Sequence, residues 1–173
     1  RDYYLRFMQA FPTVEALAQA DEEAVLELWA GLGYYSRARR LHACARAVAA
    51  GGGRFPEPAE ALMRLPGNGR STAGAIASFA FGAAEPVVDG NVKRVLARVL
   101  ALAAPQATAA FDHALWQAAQ ALIAEAPACE AGVYNQGMMD LGALVCARAG
   151  PRCEACPVRD WGRAARQGDP GAY

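Results

Sequence analysis

The sequence predicts an all-α protein of two helical lobes, with a hairpin between two of its helices and a cysteine loop near its C-terminus. Apolar residues make up 54% of the chain, which is rich in alanine and leucine and poor in β-branched runs. This composition favours packed helices over sheets. Signals that start and stop helices recur along the chain, and its 173 residues suffice to bury a core.

Capping and breaking residues set the expected helix boundaries before the hairpin. Asp21 precedes Glu22, Glu23 and an apolar stripe, which is typical of a helix start. The other boundary residues in this part are glycine breakers, a serine cap and two prolines: Gly31, Gly33, Ser36, Gly51, Gly52, Gly53, Pro56 and Pro58. They predict short helices separated by tight turns.

The second half is expected to contain longer helices and an irregular end. The predicted helices are 71–81, 92–102, 109–125 and 130–146. The predicted domains are 1–104, with the hairpin motif at about 58–81, and 105–162, with the cysteine loop 146–162. Residues 163–173 are expected to form a frayed tail.

The hairpin segment is rich in residues that let a backbone reverse direction. Gly67 and Gly69 permit positive φ and expose backbone N–H groups without an intervening Cβ. The next helix would direct its own N–H groups and dipole toward an anion. Leu65, Gly67, Asn68, Gly69 and Arg70 therefore fit a grip on a nucleic-acid backbone. They fit an ordinary turn between two helices equally well.

Asp89 follows an extended Pro-Val-Val run and precedes Gly90 and an expected helix start. Aspartate is a favoured N-cap, and that role alone would explain it. A carboxylate at a helix start beside an apolar wall also suits a sugar that develops oxocarbenium charge when a glycosyl bond breaks. These residues alone leave both interpretations open.

Overall charge does not point to nucleic acid, because the net charge is zero. The sixteen arginines and one lysine form local groups, which include Lys93, Arg94 and Arg98. We interpret most arginines as solvated helix faces. No apolar run is long enough to span a membrane.

Three of the five cysteines are closely spaced: Cys146, Cys153 and Cys156. Such a cluster is typical of metal ligation in a cytoplasmic protein rather than of a disulfide framework. Cys44 and Cys129 fall on expected helices, and we interpret them as buried apolar residues.

Four motifs, together with the hairpin, resemble the helix-hairpin-helix DNA glycosylase superfamily and, within it, the MutY branch of adenine glycosylases. They are GLGYYSRAR at 31–39, GRSTAGAI at 69–76, VDGNVKRV at 88–95 and NQGMMDLG at 135–142. The resemblance extends from Phe7 to about Pro157. It implies an endonuclease III-like DNA glycosylase fold and the removal of a flipped adenine from a pocket between the lobes.

The resemblance also implies roles for individual residues. Asp89 is expected to stabilise the cationic sugar, and Asn91 to form hydrogen bonds beside it. Tyr34 is expected to wedge beside the base opposite adenine, and Gln136 to lie in the adenine pocket. Phosphate contacts are expected from Arg148 and Arg152 of the cysteine loop. For Lys93 we expect a phosphate contact or a surface role.

Ser71 separates the MutY branch from endonuclease III, which has a lysine at the matching position and forms a Schiff base with it. A hydroxyl cannot form an imine, so we expect base removal without efficient strand cleavage. Two alternatives stay open. One is an endonuclease III-like pyrimidine glycosylase and lyase, and the other is a DNA-binding paralogue without activity.

The cysteine spacing matches the family loop that holds a 4Fe–4S cluster with four thiolates. The fourth cysteine belongs at position 162, where this chain has Gly162. Three alternatives for the cluster therefore stay open. It is held by three cysteines, it is completed by a ligand from outside the loop, or it is absent. A three-cysteine zinc site is a further option.

The resemblance places a general-acid glutamate on a helix before the segment that begins here, and a Nudix-like domain after it. General acid catalysis contributes on the order of 10²–10⁴ in rate. We therefore expect the chain as given to be nearly inactive and its full-length parent to be active. The expected setting is a cytoplasmic monomer, away from membranes, on double-stranded DNA with an A:8-oxoguanine or A:G mispair.

Overall fold

The computed structural model describes residues 2–102, 108–126 and 130–173. These residues form helices and turns and contain no β-strand, which confirms the predicted all-α class. The chain divides into two compact units, residues 1–73 and 74–173. The sequence placed the division near residue 104, which lies outside the described residues. Within the described ranges, no helix is both long and apolar enough to cross a bilayer.

The first unit contains five helices and the start of a sixth among its described residues. They are α1 (Asp2–Ala10), α2 (Val14–Gln19), α3 (Glu22–Leu28), α4 (Tyr35–Ala50), α5 (Ala59–Leu62) and α6 (Arg70–Phe81). Helix α4 packs against α2 and α3. Leu17, Val25 and Ala45 form the centre of this packing, with Phe7 and Phe11 against it. The hydrophobic effect therefore orders the first unit around α4.

The start of α4 differs from the expected serine cap. Its N-cap is Tyr34 rather than Ser36, and Tyr34 has a left-handed backbone with φ +47°. Gly31 and Gly33 also have positive φ, at +92° and +69°. Because three residues of this short turn are left-handed, the chain reverses early and the helix starts at Tyr35, before Ser36 is reached.

The second unit is built around the amphipathic helix α7 (Gly90–Leu100). Its other described elements are α8 (Ala109–Ala124), α9 (Ala131–Asp140), a π-helical segment (Leu141–Val145), 3-10 turns (Cys153–Ala155, Arg159–Trp161 and Pro170–Ala172) and α10 (Arg163–Arg166). Val92 and Leu96 of α7 pack against Phe111 and Leu115 of α8. Helix α7 also contacts α9, the π-helical segment and α10.

The C-terminal residues differ from the expected frayed tail. Ala164 of α10 is fully buried, and α10 packs against α7. Arg98 Nε donates a hydrogen bond to the Tyr173 carbonyl at 3.3 Å. The Tyr173 side chain packs against the core of the unit. A small residue that fits closely against α7 and a buried arginine therefore order this end of the chain.

Candidate functional site

The hairpin turn uses its two glycines differently. Gly67 has φ +83°, and a Cβ there would lie 2.7 Å from Arg40 Cβ on α4. Gly69 is exposed, is not among the residues with positive φ, and has open space where its Cβ would lie. Only Gly67 therefore has the expected left-handed backbone. Gly67 makes the turn possible, and Gly69 leaves an open backbone at the start of α6.

Asn68 fixes the turn from within. Its side-chain Nδ2 donates to the Leu62 carbonyl at 3.2 Å, and its backbone N–H donates to the Leu65 carbonyl at 3.2 Å. The Gly69 carbonyl accepts the first helical hydrogen bond, from Ala73 N–H at 2.9 Å. Helix α6 therefore begins directly after an ordered turn, which is a geometry suited to an anion.

Tyr34 lies on an exposed loop of the first unit. Its side chain is 78% exposed, and the Arg37 guanidinium carbon lies 5.1 Å from its ring centroid. An aromatic ring of this exposure buries little area in the protein itself. The ring is therefore available to stack on a partner.

A segment without regular secondary structure, residues 83–88, leads to Asp89, and we call it the approach segment. Val87 and Val88 are buried, at 4% and 3% exposed. Asn135 of α9 is 1% exposed; its Oδ1 accepts the Val87 N–H at 3.1 Å and its Nδ2 donates to the Glu85 carbonyl at 2.9 Å. The same Nδ2 donates to Ser78 Oγ at 3.0 Å, so one amide ties the approach segment to α6 and α9.

A close backbone approach holds the other side of this segment. A Cβ at Gly74 of α6 would lie 2.4 Å from the Pro86 carbonyl oxygen. Only glycine therefore lets α6 and the approach segment come this close. Gly74 and Asn135 lie within the sequence motifs 69–76 and 135–142, but the motifs alone predict no role for either residue. Asn135 gave no individual signal, because its burial is visible only in the fold.

Asp89 is the N-cap of α7. Its Oδ1 accepts the Val92 N–H at 2.8 Å, and the residue is half-buried. The structure thus confirms that Asp89 caps a helix, as its sequence context predicts. A cap hydrogen bond fixes the orientation of the carboxylate, which also suits a group that must meet a developing charge.

Asn91 is held beside Asp89 by packing and by an arginine. Its Oδ1 accepts a hydrogen bond from Arg94 Nη2 at 2.8 Å. A Cβ at Gly142 would lie 2.7 Å from Asn91 Cβ, so the π-helical segment packs directly on this residue. The expected helix 130–146 changes to π-helical geometry after Asp140.

Lys93 does not lie free on the surface of α7. Its Nζ forms an ion pair of 2.6 Å with Asp112 Oδ1 on α8. Both side chains are partly exposed, so the pair contributes only modestly to stability. The ion pair occupies the amine that the sequence assigned to a phosphate contact.

Gln136 lines an open cleft of about 630 Å³ formed by the end of α6 and by α9. Its Nε2 donates to Asp140 Oδ1 at 2.9 Å. Phe79 and Val133 supply apolar walls, and both are exposed. The cleft therefore combines an amide, a carboxylate and apolar surface. Asp140 is a candidate that sequence reasoning missed, although it lies one helical turn after Gln136 in the same motif.

The three cysteines of the loop lie in the second unit and are half-buried. In residues 2–102, 108–126 and 130–173, no three His, Cys, Asp or Glu side chains converge as metal ligands. With Gly162 at the fourth position, this donor set does not fit a four-thiolate cluster. Arg148 and Arg152 are exposed within the loop, and Arg152 donates to the Leu144 carbonyl.

Burial raises the pKa of a thiol in the first unit and of a hydroxyl in the second. Desolvation raises the pKa of the Cys44 thiol on α4, as its predicted burial implies. Desolvation also raises the pKa of the Tyr134 hydroxyl on α9. Cys129, the other cysteine expected to be buried, lies outside the described residues.

Comparisons with known proteins agree on one family. Residues 1–121 match the family described as HhH-GPD superfamily base excision DNA repair protein. The adenine DNA glycosylases of Rattus norvegicus and Homo sapiens are each 51% identical to this chain over 165 residues. The match covers 94% of this chain and 31% and 30% of those proteins, so the chain spans about a third of their length.

Solved structures show the same architecture. A thermostable thymine-DNA glycosylase superposes with a TM-score of 0.82 at 27% identity, covering 96% of this chain and 76% of that one. Endonuclease III in a non-covalent complex with DNA superposes with a TM-score of 0.77 over the same shares. Its identity is 23%, so this second likeness concerns the fold alone.

Proposed function

Because the chain belongs to the HhH-GPD superfamily of base excision DNA repair proteins, we propose that it is the catalytic body of an adenine DNA glycosylase. Its substrate is adenine paired with 8-oxoguanine or guanine in double-stranded DNA. The observation that carries the proposal is the oriented carboxylate of Asp89 at the start of α7. The two adenine DNA glycosylases that are 51% identical to this chain support adenine as the base that is removed.

In the proposed reaction, the bond from sugar C1′ to adenine N9 breaks, and adenine leaves with that electron pair. Water adds its oxygen to C1′ and loses one proton, which balances the proton that the departing adenine takes up. Positive charge develops on the sugar as the base leaves. A carboxylate that is already oriented stabilises this charge without rearranging during the reaction. The cap hydrogen bond from Val92 and the approach segment held by Asn135 supply that orientation for Asp89.

The hairpin and Tyr34 supply DNA contacts in this proposal. Gly69 and Arg70 present backbone at the start of α6, where a phosphate is favoured by the helix N-terminus. Such contacts fix position without reading sequence. The exposed Tyr34 ring stacks beside the base opposite adenine. Arg148 and Arg152 add positive charge from the cysteine loop.

The cleft beside α9 fits the edge of a flipped purine. Adenine presents a donor amine at N6 and an acceptor at N7. Asp140 accepts from the amine, and the amide of Gln136 donates to the ring nitrogen. The two side chains already lie within hydrogen-bond distance of each other, at 2.9 Å. They are thus placed to meet adjacent atoms of one base.

Ser71 and Lys93 support base removal without strand cleavage. Ser71 offers a hydroxyl where a lyase needs an amine. The amine of Lys93 is held in an ion pair with Asp112. No step of the proposed reaction passes through a metal cluster. We also propose that the protein acts as a monomer on cytoplasmic DNA.

Binding to duplexes that carry a non-hydrolysable 2′-fluorinated target nucleotide tests the proposed substrate. Fluorescence anisotropy is expected to give tightest binding for adenine opposite 8-oxoguanine, then adenine opposite guanine, and weaker binding for thymine at the target. Tighter binding of a pyrimidine target would favour the endonuclease III-like alternative. Equal binding of all duplexes would favour a paralogue that binds DNA without acting on it.

Borohydride trapping on an abasic duplex tests the chemistry of Ser71. The protein is expected to form no covalent complex, whereas Ser71→Lys introduces an amine at the position used by lyases and is expected to be trapped. Ser71→Ala is the matched control and should not be trapped. Efficient trapping of the unmodified protein would contradict the proposed monofunctional reaction.

A further inference from the structure

The cysteine loop contacts an arginine of α7 through its first thiol. Gly162 replaces the fourth thiolate, and no metal-like convergence of ligands exists among the described residues. The Cys146 sulfur instead accepts a hydrogen bond from Arg98 Nη1, with an N···S distance of 3.5 Å. The thiol at the start of the loop is therefore paired with an arginine of α7.

Arg98 gathers the backbone of the loop around its guanidinium group. The residue is 5% exposed. Its Nη1 donates to the carbonyls of Ala147 at 2.7 Å and Cys146 at 3.3 Å, and its Nη2 donates to the Arg148 carbonyl at 3.2 Å. Its Nε donates to the Tyr173 carbonyl at 3.3 Å. A buried guanidinium is costly unless its donors are used, and here all three nitrogens are.

Arg94, one helical turn earlier on α7, also donates hydrogen bonds to backbone carbonyls, in and directly after the π-helical segment. Its Nη2 donates to the Gly142 carbonyl at 2.6 Å, and its Nε donates to the Cys146 carbonyl at 2.8 Å. Residues four apart lie on one face of a helix. One face of α7 therefore presents two guanidinium groups to the carbonyls of residues 142–148.

We propose that Arg94 and Arg98, rather than an iron–sulfur cluster or a zinc ion, organise the cysteine loop and join the C-terminal residues to α7. This protein accordingly folds its second unit without metal. The inference concerns folding and does not depend on which base the protein removes. The cysteines of the loop are then ordinary half-buried thiols.

The backbone at residue 162 permits a direct test of the missing ligand. Gly162 has φ −71°, which any residue adopts. An added Cβ would lie 3.2 Å from the Arg159 carbonyl oxygen and 3.6 Å from Ala165 Cβ. A cysteine therefore fits after a small local shift.

The first experiment measures iron, sulfide and zinc in the full chain purified without oxygen. The expected content is far below one metal per chain in the unmodified protein, and chelator treatment leaves its melting temperature unchanged. Gly162→Cys restores the four-cysteine spacing and is expected to contain iron and sulfide. This variant is the positive control, because it shows that a cluster is incorporated under the same conditions of expression and purification. Stoichiometric metal in the unmodified protein would overturn the proposal.

The second experiment compares arginine and cysteine variants by limited proteolysis of residues 146–173. Arg98→Met removes the donors at similar length, and cleavage is expected to become roughly tenfold faster or more. Arg159→Met, on an exposed arginine paired with Glu154, is the matched control and should leave the rate unchanged. Cys153→Ser and Cys156→Ser should also leave it unchanged. If Arg98→Met does not fold, the cysteine variants still decide: rapid cleavage of Cys153→Ser would overturn the proposal.

Discussion

The approach segment and the cysteine loop are both irregular, and a buried polar side chain contacts each of them, but the two side chains differ in kind. Asn135 meets a backbone donor and a backbone acceptor of the approach segment, Val87 N–H and the Glu85 carbonyl. Arg98 donates only to acceptors, which are the Cys146 sulfur and the carbonyls at the start of the loop and at Tyr173. An amide can satisfy both sides of an extended chain, whereas a guanidinium group gathers carbonyls that have no helical partner.

The comparison predicts that Asn135 matters more to stability than any exposed polar residue near it. Asn135→Ala leaves the Val87 N–H and Glu85 carbonyl buried without a partner and opens a small cavity. The expected loss in the free energy of unfolding is roughly 2–4 kcal/mol, measured by urea denaturation. Its exposed neighbour provides the control, since Gln136→Ala should change stability by no more than about 0.5 kcal/mol. Equal losses in the two variants would contradict the assigned role.

A second prediction concerns the glycine contact behind the approach segment. Gly74→Ala forces a Cβ against the Pro86 carbonyl and is expected to cost about 1–3 kcal/mol of unfolding free energy. Gly137→Ala on α9 has open space and should be neutral or stabilising, because alanine favours helices by about 1 kcal/mol. Thermal unfolding of both variants checks the difference in sign. A stable Gly74→Ala protein would show that the segment can move away without cost.

A third prediction separates the two hairpin glycines. Gly67→Ala meets Arg40 and an unfavourable φ, so a stability loss of about 1–2 kcal/mol is expected. Gly69→Ala has room in the free protein, so its melting temperature should hold while its affinity for duplex DNA falls several-fold. Calorimetry and anisotropy with the same duplex distinguish them. Unchanged DNA affinity in Gly69→Ala would show that the backbone at this position does not bind phosphate.

The smallest expected effect is the pH dependence due to Cys44. Its raised pKa means that the native state holds the thiol proton more tightly than the unfolded chain does. The associated stability is present below the ordinary thiol pKa, about 8.5, and is lost as pH rises from there through the raised value. Tyr134 adds to the alkaline loss. Cys44→Ala should therefore lose less stability between neutral and alkaline pH than the unmodified protein, as measured by urea denaturation at each pH. An identical pH profile would contradict the cause assigned to Cys44.

The sequence predicted the helices and the cap well because their signals are local. Asp89 before Gly90 and an apolar stripe is readable from a few residues, and the structure has the N-cap there. The sequence also predicts a turn at the two hairpin glycines, but it does not reveal that Gly67 and Gly69 have different roles. That Gly67 faces Arg40 while Gly69 faces open space depends on where α4 lies.

The sequence failed where a polar side chain is buried by distant parts of the chain. Arg94 and Arg98 were interpreted as part of a solvated basic group, yet both reach carbonyls about fifty residues away in the chain. Lys93 of the same group forms a partly exposed ion pair with Asp112, and its contact with phosphate stays a prediction. Residues 163–173 were expected to fray for the same reason, since Arg98 holds Tyr173 from α7. Charge pattern alone does not reveal burial.

The central claim is that the negative charge of Asp89, oriented by its cap hydrogen bond, stabilises a cationic sugar. Asp89→Asn removes the charge and keeps an oxygen that can cap α7. Anisotropy compares a duplex carrying a cationic pyrrolidine nucleotide opposite 8-oxoguanine with one carrying a neutral tetrahydrofuran. The unmodified protein is expected to prefer the cation by roughly tenfold or more, and Asp89→Asn to lose that preference while binding the neutral duplex normally. An undiminished preference in Asp89→Asn would contradict the account.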